Sequence, residues 1–315
     1  MFDKKTYQIL YELSNNSRIP LKQLAKKVKL SESATSYRLK QLYDQNIILG
    51  TTPIFDHSKL GHLIYRIYSN FFGTTSEKEK EILNWLKEQK EVSVLARSSG
   101  DYDFLIMSSL SSPLKFHNFI KKLKEKYRKY LGIIDTFIYL KTYHFSRDYF
   151  NQKKKNPVMV VIGESKSEKI DDIDKKIIRC IAPDARKSVL KIAEEIKVPV
   201  RTVANRLKNL EKKKIIAGYT INLNLQKIGR EYFKLNIISN ENVDYNTLIN
   251  FALNLDESIY IDETIGKYDF ELNIEVKDRN ELNKIINLLK NKMGGFKDLG
   301  IFQVEKYIKL TYLGI

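Results

Sequence analysis

Arg201 and Asn205 have the most specific binding chemistry of any residues in the chain. They lie four positions apart, so within a helix they share one face, next to Thr202 and Lys208. Arginine and asparagine can form paired hydrogen bonds to the edges of guanine and adenine in the major groove. The pattern indicates a helix that reads DNA bases. An ordinary solvated helix face is the alternative.

The same positions recur earlier in the chain with different residues. An offset of 168 residues places Arg186 on Arg18, Arg206-Leu207 on Arg38-Leu39 and Gly229 on Gly61. The face Arg201, Ala204, Asn205 and Lys208 then corresponds to Ser33, Ser36, Tyr37 and Lys40. Serine and tyrosine are more adaptable contacts to bases or phosphates, so the two faces differ in what they can bind. Two repeats of this length indicate a duplicated pair of domains.

The segments that carry these faces, residues 3–50 and 171–218, each read as three short helices. Leu21, Leu24, Ala25 and Val28 have the spacing of an amphipathic helix, and Ser31 stands where the N-cap of the next helix belongs. Two helices joined by a short turn are typical of a helix-turn-helix, and the strand that begins after them suggests a winged variant. Arg38 and Arg206 lie on the flank of the third helix. Each could bind a phosphate or form a salt bridge to the neighbouring helix. We count both arginines, together with Ser31, among the candidate DNA contacts.

The second part of each repeat predicts the order strand, helix, strand, strand, helix, strand. Its third strand is predicted at Asp101–Ser109 in the first copy and at Tyr268–Val276 in the second. This order is the βαββαβ, ferredoxin-like plan, with helices on one face of an antiparallel sheet. Alternating residues such as Phe104, Ile106 and Phe137 with Tyr139 leave the other face apolar, so a second sheet should pack on it. The fold class is therefore α+β.

Composition narrows the possible partners and the site chemistry. The net charge of +17 favours a polyanion as partner, although enrichment in Lys, Asn and Ile can also reflect genome composition. Cys180 reads as a core residue in a reducing compartment. His57, His62, His117 and His144 lack metal-ligand spacing, so we expect no metal, cofactor or catalytic site. With neither a signal peptide nor an apolar run long enough to span a bilayer, we expect a soluble, cytoplasmic protein.

The two repeats together resemble the Lrp/AsnC family of bacterial and archaeal transcription regulators. The resemblance rests on the helix-turn-helix pairs and on two matching turns, Gly100-Asp101-Tyr102-Asp103 and Gly266-Lys267-Tyr268-Asp269. It implies a regulator that binds double-stranded DNA and pairs its βαββαβ domains sheet to sheet. It also implies a small effector, such as an amino acid, bound near the turns, for which we name Gly100, Asp101, Tyr102, Asp103, Gly266, Lys267, Tyr268 and Asp269. Read without the family, these are structural turns.

The domain organisation follows from the repeats. We predict a helix-turn-helix at 1–52, a βαββαβ domain at 60–145, a linker at 146–170, and second copies at 171–220 and 228–315. The linker, with its lysine run, reads as a solvated tether, and Val158–Ile162 suggests an edge strand. Because one chain carries both copies, we expect it to fold back into an internal pseudo-dimer. Assembly of such pairs into homo-oligomers is compatible with this arrangement.

An enzyme of the same fold is the alternative function. Siroheme decarboxylases resemble the Lrp/AsnC regulators but add a substrate motif with a histidine in the first strand of the sheet domain. In this chain that region reads Gly61-His62-Leu63 in the first copy and Gly229-Arg230-Glu231 in the second. A lone His62 is the only residue that suggests such an enzyme.

Overall fold

The computed structural model describes residues 2–151, 159–240 and 245–311, in which two similar halves follow one another along the chain. The first half comprises α1 (Lys4–Asn15), α2 (Leu21–Val28), α3 (Glu32–Asp44), β1 (Ile48–Phe55), β2 (Leu63–Phe71), α4 (Ser76–Glu88), β3 (Val94–Gly100), β4 (Phe104–Leu110), α5 (Pro113–Tyr127), β5 (Leu131–Phe145) and β6 (Met159–Gly163). The second half comprises α6 (Asp172–Ile181), α7 (Val189–Ile196), α8 (Val200–Lys212), β7 (Ile216–Leu223), β8 (Glu231–Ser239), α9 (Tyr245–Leu253), β9 (Ser258–Ile265), β10 (Phe270–Val276), α10 (Arg279–Met293) and β11 (Phe296–Leu310). None of the helices in these ranges is long and apolar enough to cross a membrane.

The three helices that open each half form a small domain, which we call a head. Leu24 and Val28 of α2 pack with Ile9 and Leu42 in the core of the first head. In the second head the equivalent core contains Ile192, Val203 and Leu207, with Cys180 buried beside them. Ser31 caps α3 by accepting a hydrogen bond from the Ala34 amide at 3.1 Å, as the sequence predicts.

A two-stranded antiparallel ribbon joins the heads. It is formed by β1 and β7, the strands that follow the third helix of each head, with Thr52 opposite Thr220. Among the described residues, neither strand pairs with a strand of its own half. The strand expected for a winged head is therefore present in both copies, but it pairs with its counterpart from the other repeat. This pairing couples the position of one head to that of the other.

The two βαββαβ domains close into one barrel. Their strand orders are β5-β2-β4-β3 and β11-β8-β10-β9, and the edges pair antiparallel as β3 with β11 and β5 with β9. These eight strands therefore form a ring, and β6 extends it outside β5. The predicted internal pseudo-dimer is confirmed, with edge pairing as well as face-to-face packing.

The structure corrects which residues of β4 face the second sheet. Phe104 and Ile106 pack under the helices of their own domain, whereas Leu105 and Met107 point into the barrel with Phe137. Every residue of β4 is buried. Since both faces of this strand are apolar, alternation alone cannot identify the inward one.

The linker predicted at 146–170 is not a free tether where the structure describes it, although Glu164, Lys166, Ser167 and Lys169 are exposed to solvent as predicted. Phe150 is buried in the core of the first head. Further on, Ser165 Oγ donates a hydrogen bond to Asp56 at 3.1 Å and the Glu168 amide donates to the carbonyl of Lys59 at 2.8 Å. The edge strand is present as β6, whereas the lysine run at 153–155 lies outside the described residues. Apolar contacts and backbone hydrogen bonds thus hold this segment against the first half.

Candidate nucleic-acid interface

The third helices, α3 and α8, expose the faces predicted to bind DNA. Thr35 and Leu42 of α3 are buried, as are Val203, Leu207 and Leu210 of α8. On the opposite side, Ser33, Ser36, Tyr37 and Lys40 are exposed in α3, and Arg201, Asn205 and Lys208 in α8, with Thr202 and Ala204 half-buried. The ring of Tyr37 is 64% exposed, with Gln41 donating a hydrogen bond to its hydroxyl at 2.9 Å. Both faces are open to a partner.

Arg38 and Arg206 tie the third helix to the first helix of the same head. Arg38 Nη1 lies 2.7 Å from Asp3, the N-cap of α1, and Arg206 Nη1 lies 2.7 Å from Asp171, the N-cap of α6. Hydrogen bonds from Thr6, with a further contribution from Arg38, lower the pKa of Asp3 to about 2. Of the two roles considered for these arginines, the structure shows the salt bridge.

The two faces differ in charge. Helix α3 contains two acidic and two basic residues, whereas α8 contains four basic residues and one acidic residue. Phosphate groups attract unpaired cations, so α8 has the stronger electrostatic attraction for a polyanion. The duplication has therefore produced two heads of the same shape with unequal binding chemistry.

Comparison with known proteins agrees with this architecture. Residues 2–48 match a winged helix-turn-helix DNA-binding domain and residues 170–211 match the AsnC-type helix-turn-helix domain. The HTH-type transcriptional regulator LrpA of Pyrococcus horikoshii is 37% identical over 102 residues, which are 32% of this chain and 71% of LrpA. The HTH-type transcriptional regulator Ptr1 of Methanocaldococcus jannaschii is 32% identical over 117 residues, 37% of this chain and 79% of Ptr1. The chain belongs to the Lrp/AsnC family.

Both halves of this Lrp/AsnC protein match a solved structure at once. The siroheme decarboxylase NirDL superposes with a TM-score of 0.64, at 12% sequence identity, over 98% of this chain and 94% of its own. At this identity the likeness concerns the fold. It shows that a tandem arrangement of two such halves occurs in another protein.

The glycine turns of this Lrp/AsnC chain lie at the seams between its two halves. A Cβ on Gly100, which has a φ of +114°, would lie 2.7 Å from the carbonyl oxygen of Ile301 in β11. A Cβ on Gly266 would lie 2.6 Å from the ring of Phe137 in β5. Each turn therefore approaches a strand of the other half too closely for a side chain. This close approach is a structural reason for glycine at both positions.

The polar residues of the turns make structural contacts. Asp103 accepts a hydrogen bond from the Phe71 amide and Asp269 one from the Ser239 amide, each at 2.8 Å, and Asp101 accepts one from Ile301 of the other half at 2.7 Å. Contrary to the prediction, Asp101–Asp103 and Tyr268–Asp269 precede β4 and β10 rather than opening them. Binding of an effector by these turns stays a prediction.

The tyrosines of the two turns are buried close together. Their hydroxyl oxygens, on Tyr102 and Tyr268, are 3.4 Å apart, and Tyr102 donates a hydrogen bond to Asp135 at 2.6 Å. The pKa of Tyr102 is raised, chiefly by burial and next by the hydrogen bond to Asp135. The Lys267 Nζ lies 3.8 Å from the same Asp135 carboxylate. The turns thus form a single cluster across the seams.

The barrel interior contains a polar network that sequence reasoning missed. Lys234 Nζ donates hydrogen bonds to Glu271 at 2.8 Å and to Asn273 at 2.7 Å, and Asn273 donates to Asp262 at 2.9 Å. Burial raises the pKa of Glu271 to about 7 and lowers that of Lys234 to about 7. The pair has no net charge whether its proton is on the lysine or the carboxyl group. Polar residues at every second position of β10 were the available signal, but this pattern is also typical of a solvent-exposed strand.

A cavity of about 90 Å³ lies between this network and the ribbon. Its lining includes Arg66, His57, His144 and Thr52. Burial lowers the pKa of His57 to about 4 and that of His144 to about 3, so both imidazoles are neutral near pH 7. His62, the residue that suggested an enzyme, bonds to Ser109 at 3.0 Å and is not among the lining residues.

Proposed function

We propose that this chain is a sequence-specific, DNA-binding transcription regulator in which one polypeptide supplies both DNA-reading heads. The observation that carries the proposal is the pair of exposed third helices, held in one assembly by the ribbon. Related regulators of the family, named above, have a helix-turn-helix of the same type. We assign base reading chiefly to Arg201 and Asn205 and place Ser33, Ser36 and Tyr37 at the equivalent contacts of the first head.

Charge supports the same conclusion. The net charge of +17 favours association with a polyanion, and the surplus of basic residues in α8 lies beside the exposed face of that helix. Binding that neutralises DNA phosphates releases their counterions, so the affinity should fall as the salt concentration rises. A plot of the logarithm of the association constant against the logarithm of the salt concentration should have a slope of about −0.9 per phosphate contacted. Titration of a labelled duplex at several salt concentrations measures this slope. Absence of duplex binding at low salt would refute the proposal.

Substitution separates base reading from simple charge attraction. Arg201→Ala and Asn205→Ala should each weaken binding to the preferred sequence by about 1–3 kcal/mol and weaken binding to random DNA much less. Lys191→Ala is the matched control for Arg201→Ala, because it removes one exposed positive charge from α7 rather than α8. Equal losses on preferred and random DNA would show that Arg201 and Asn205 do not read bases.

A siroheme decarboxylase is the second candidate, favoured by the likeness to NirDL over both halves. The cavity in the barrel does not support it, because its volume of about 90 Å³ is well below the roughly 300–1,000 Å³ of pockets for drug-sized ligands, and siroheme is larger than these. Adding siroheme to the purified protein and recording its absorbance distinguishes the two functions. An unchanged spectrum supports the regulator, whereas a saturable spectral change followed by conversion of the tetrapyrrole supports the enzyme.

A further inference from the structure

Arg66 of β2 lines the barrel cavity without a hydrogen-bonding partner. Its guanidinium group donates no hydrogen bond to any described residue, and the Nε atom is buried and unsatisfied. The group lies over the ring of Tyr139, 5.0 Å from the ring centroid, but no described carboxylate lies within 4 Å of it. Burial opposes the charge, but nearby Tyr68, Asp262 and Glu271 outweigh that effect and raise the pKa of Arg66. Arg66 is therefore a cation whose guanidinium group has no hydrogen-bonding partner among the described residues, and its Nε donor is also shut off from solvent.

The repeat explains why this cation lacks a partner. Arg66 lies opposite Met107 and Tyr68 lies opposite Leu105, just as Lys234 lies opposite Asn273 and Asn236 opposite Glu271. Arg66 is thus the equivalent of Lys234, and Leu105 is the equivalent of Glu271. Lys234 has its carboxylate partner in the second half. In the first half, a leucine occupies the position of that carboxylate.

Two further unsatisfied polar atoms lie on the same cavity. The Nε2 atom of His144 and the Oγ1 atom of Thr52 are buried and have no hydrogen-bonding partner among the described residues. Apolar residues, including Ile64, Val94 and Leu105, line other parts of the cavity. Buried polar groups are ordinarily satisfied, so three orphaned atoms around one space indicate an absent occupant.

We propose that this cavity binds a small organic carboxylate whose anionic group is held by Arg66 and whose aliphatic body packs against Ile64, Val94 and Leu105. Carboxylates accept paired hydrogen bonds from guanidinium groups, which fits the fork of donors left free on Arg66. An apolar cavity of roughly 150 Å³ holds benzene, so the space of about 90 Å³ here suits a clearly smaller acid such as acetate, whose methyl group is its aliphatic part. This site does not depend on the proposed function, and it lies apart from the glycine turns.

Calorimetric titration of the full chain with acetate tests the proposal. We expect saturable binding to the wild-type protein and binding at least about tenfold weaker to Arg66→Met. Acetamide has the same shape without the charge and should bind at least about tenfold more weakly than acetate. Arg97→Met is the matched control, because Arg97 pairs with Glu79 and is not among the residues that line the cavity. It should leave binding unchanged.

Leu105→Glu provides a second variant that does not remove the arginine. It places a carboxylate at the position equivalent to Glu271, where it can pair with Arg66 and exclude the ligand. We expect this variant to fold and to lose acetate binding. If acetate does not bind the wild-type protein, water alone satisfies these groups and the proposal is wrong. Equal binding of acetate and acetamide would show that Arg66 does not select an anion, and undiminished acetate binding by Leu105→Glu or Arg66→Met would also overturn the proposal.

Discussion

Arg18 and Arg186, equivalent residues of the two repeats, each donate hydrogen bonds into the other head. Arg18 Nη1 donates to the carbonyls of Ala185 and Lys187, and Arg186 Nη1 donates to those of Ser17, at 2.6 Å, and Ile19. The loop between α1 and α2 and the loop between α6 and α7 therefore make equivalent contacts with each other. A pseudo-twofold axis relates these two sets of contacts. Together with the ribbon, these bonds fix one head relative to the other.

Removing either arginine should loosen the pair of heads. Arg18→Ala and Arg186→Ala each eliminate hydrogen bonds from a charged donor, so we expect the free energy of unfolding to fall by about 1–3 kcal/mol in each case. Urea denaturation measures this change. Arg179→Ala, which removes an exposed arginine from α6, is the control. Losses no larger than the control would show that the reciprocal contacts contribute nothing to stability.

Stability should depend on pH through His57. Burial, assisted by nearby His62, lowers the pKa of His57 to about 4, whereas an unfolded histidine titrates near about 6.5. Between these pH values the unfolded chain binds more protons than the folded chain, so the free energy of unfolding decreases as pH falls. The slope approaches about 1.4 kcal/mol per pH unit for each such histidine.

Two substitutions check this assignment. His57→Gln should reduce the slope of unfolding free energy against pH between about pH 6.5 and 4. His144, whose pKa burial lowers to about 3, and His62, whose pKa burial also lowers, should add to the same slope. His117→Gln, at an exposed position of α5, should leave the slope as it is in the wild type. Identical slopes for His57→Gln and wild type would contradict the assignment.

A buried ion pair connects the end of the first domain to the second. Arg147 contacts both carboxylate oxygens of Glu275, at 2.9 and 3.0 Å, and both side chains are nearly inaccessible. Glu275→Gln would leave the buried arginine without its counter-charge, and we expect a loss of about 3–5 kcal/mol in unfolding free energy. Glu125→Gln breaks an exposed ion pair with Lys121 and should change the free energy of unfolding by less than about 1 kcal/mol. Comparable midpoints of urea unfolding for the two variants would be inconsistent with this role.

The heads could be predicted from the sequence because their signals are local. Apolar stripes at helical spacing, the cap at Ser31 and the exposed positions of Arg201 and Asn205 depend on residues a few positions apart. The duplication made it possible to predict the internal pseudo-dimer as well. A sheet with helices on one face only needs a partner for its other face, and the chain contains two such sheets. The first prediction depends on patterns within one helix, and the second on the comparison of two similar segments of sequence.

The barrel interior could not be predicted in the same way. Glu271, Asn273 and Glu275 alternate with apolar residues, which is typical of a strand with one face in solvent. Closure of the ring by β3 with β11 and β5 with β9 buries that face instead. Likewise, Phe150 follows a predicted strand in a polar segment, and only the three-dimensional arrangement reveals the core that accepts it. Contacts between segments far apart in the sequence, rather than local composition, determine that these side chains are buried.

Selection of bound sequences from a random pool of duplex DNA tests the central claim most directly. The claim is that one chain presents two unlike heads, one with Ser33, Ser36 and Tyr37 and the other with Arg201 and Asn205, in a fixed relation. We predict recovery of sites with two different half-sequences at a constant spacing, whereas a pair of identical heads prefers a palindrome. Recovery of perfect palindromes would show that like heads pair between chains and would contradict the account.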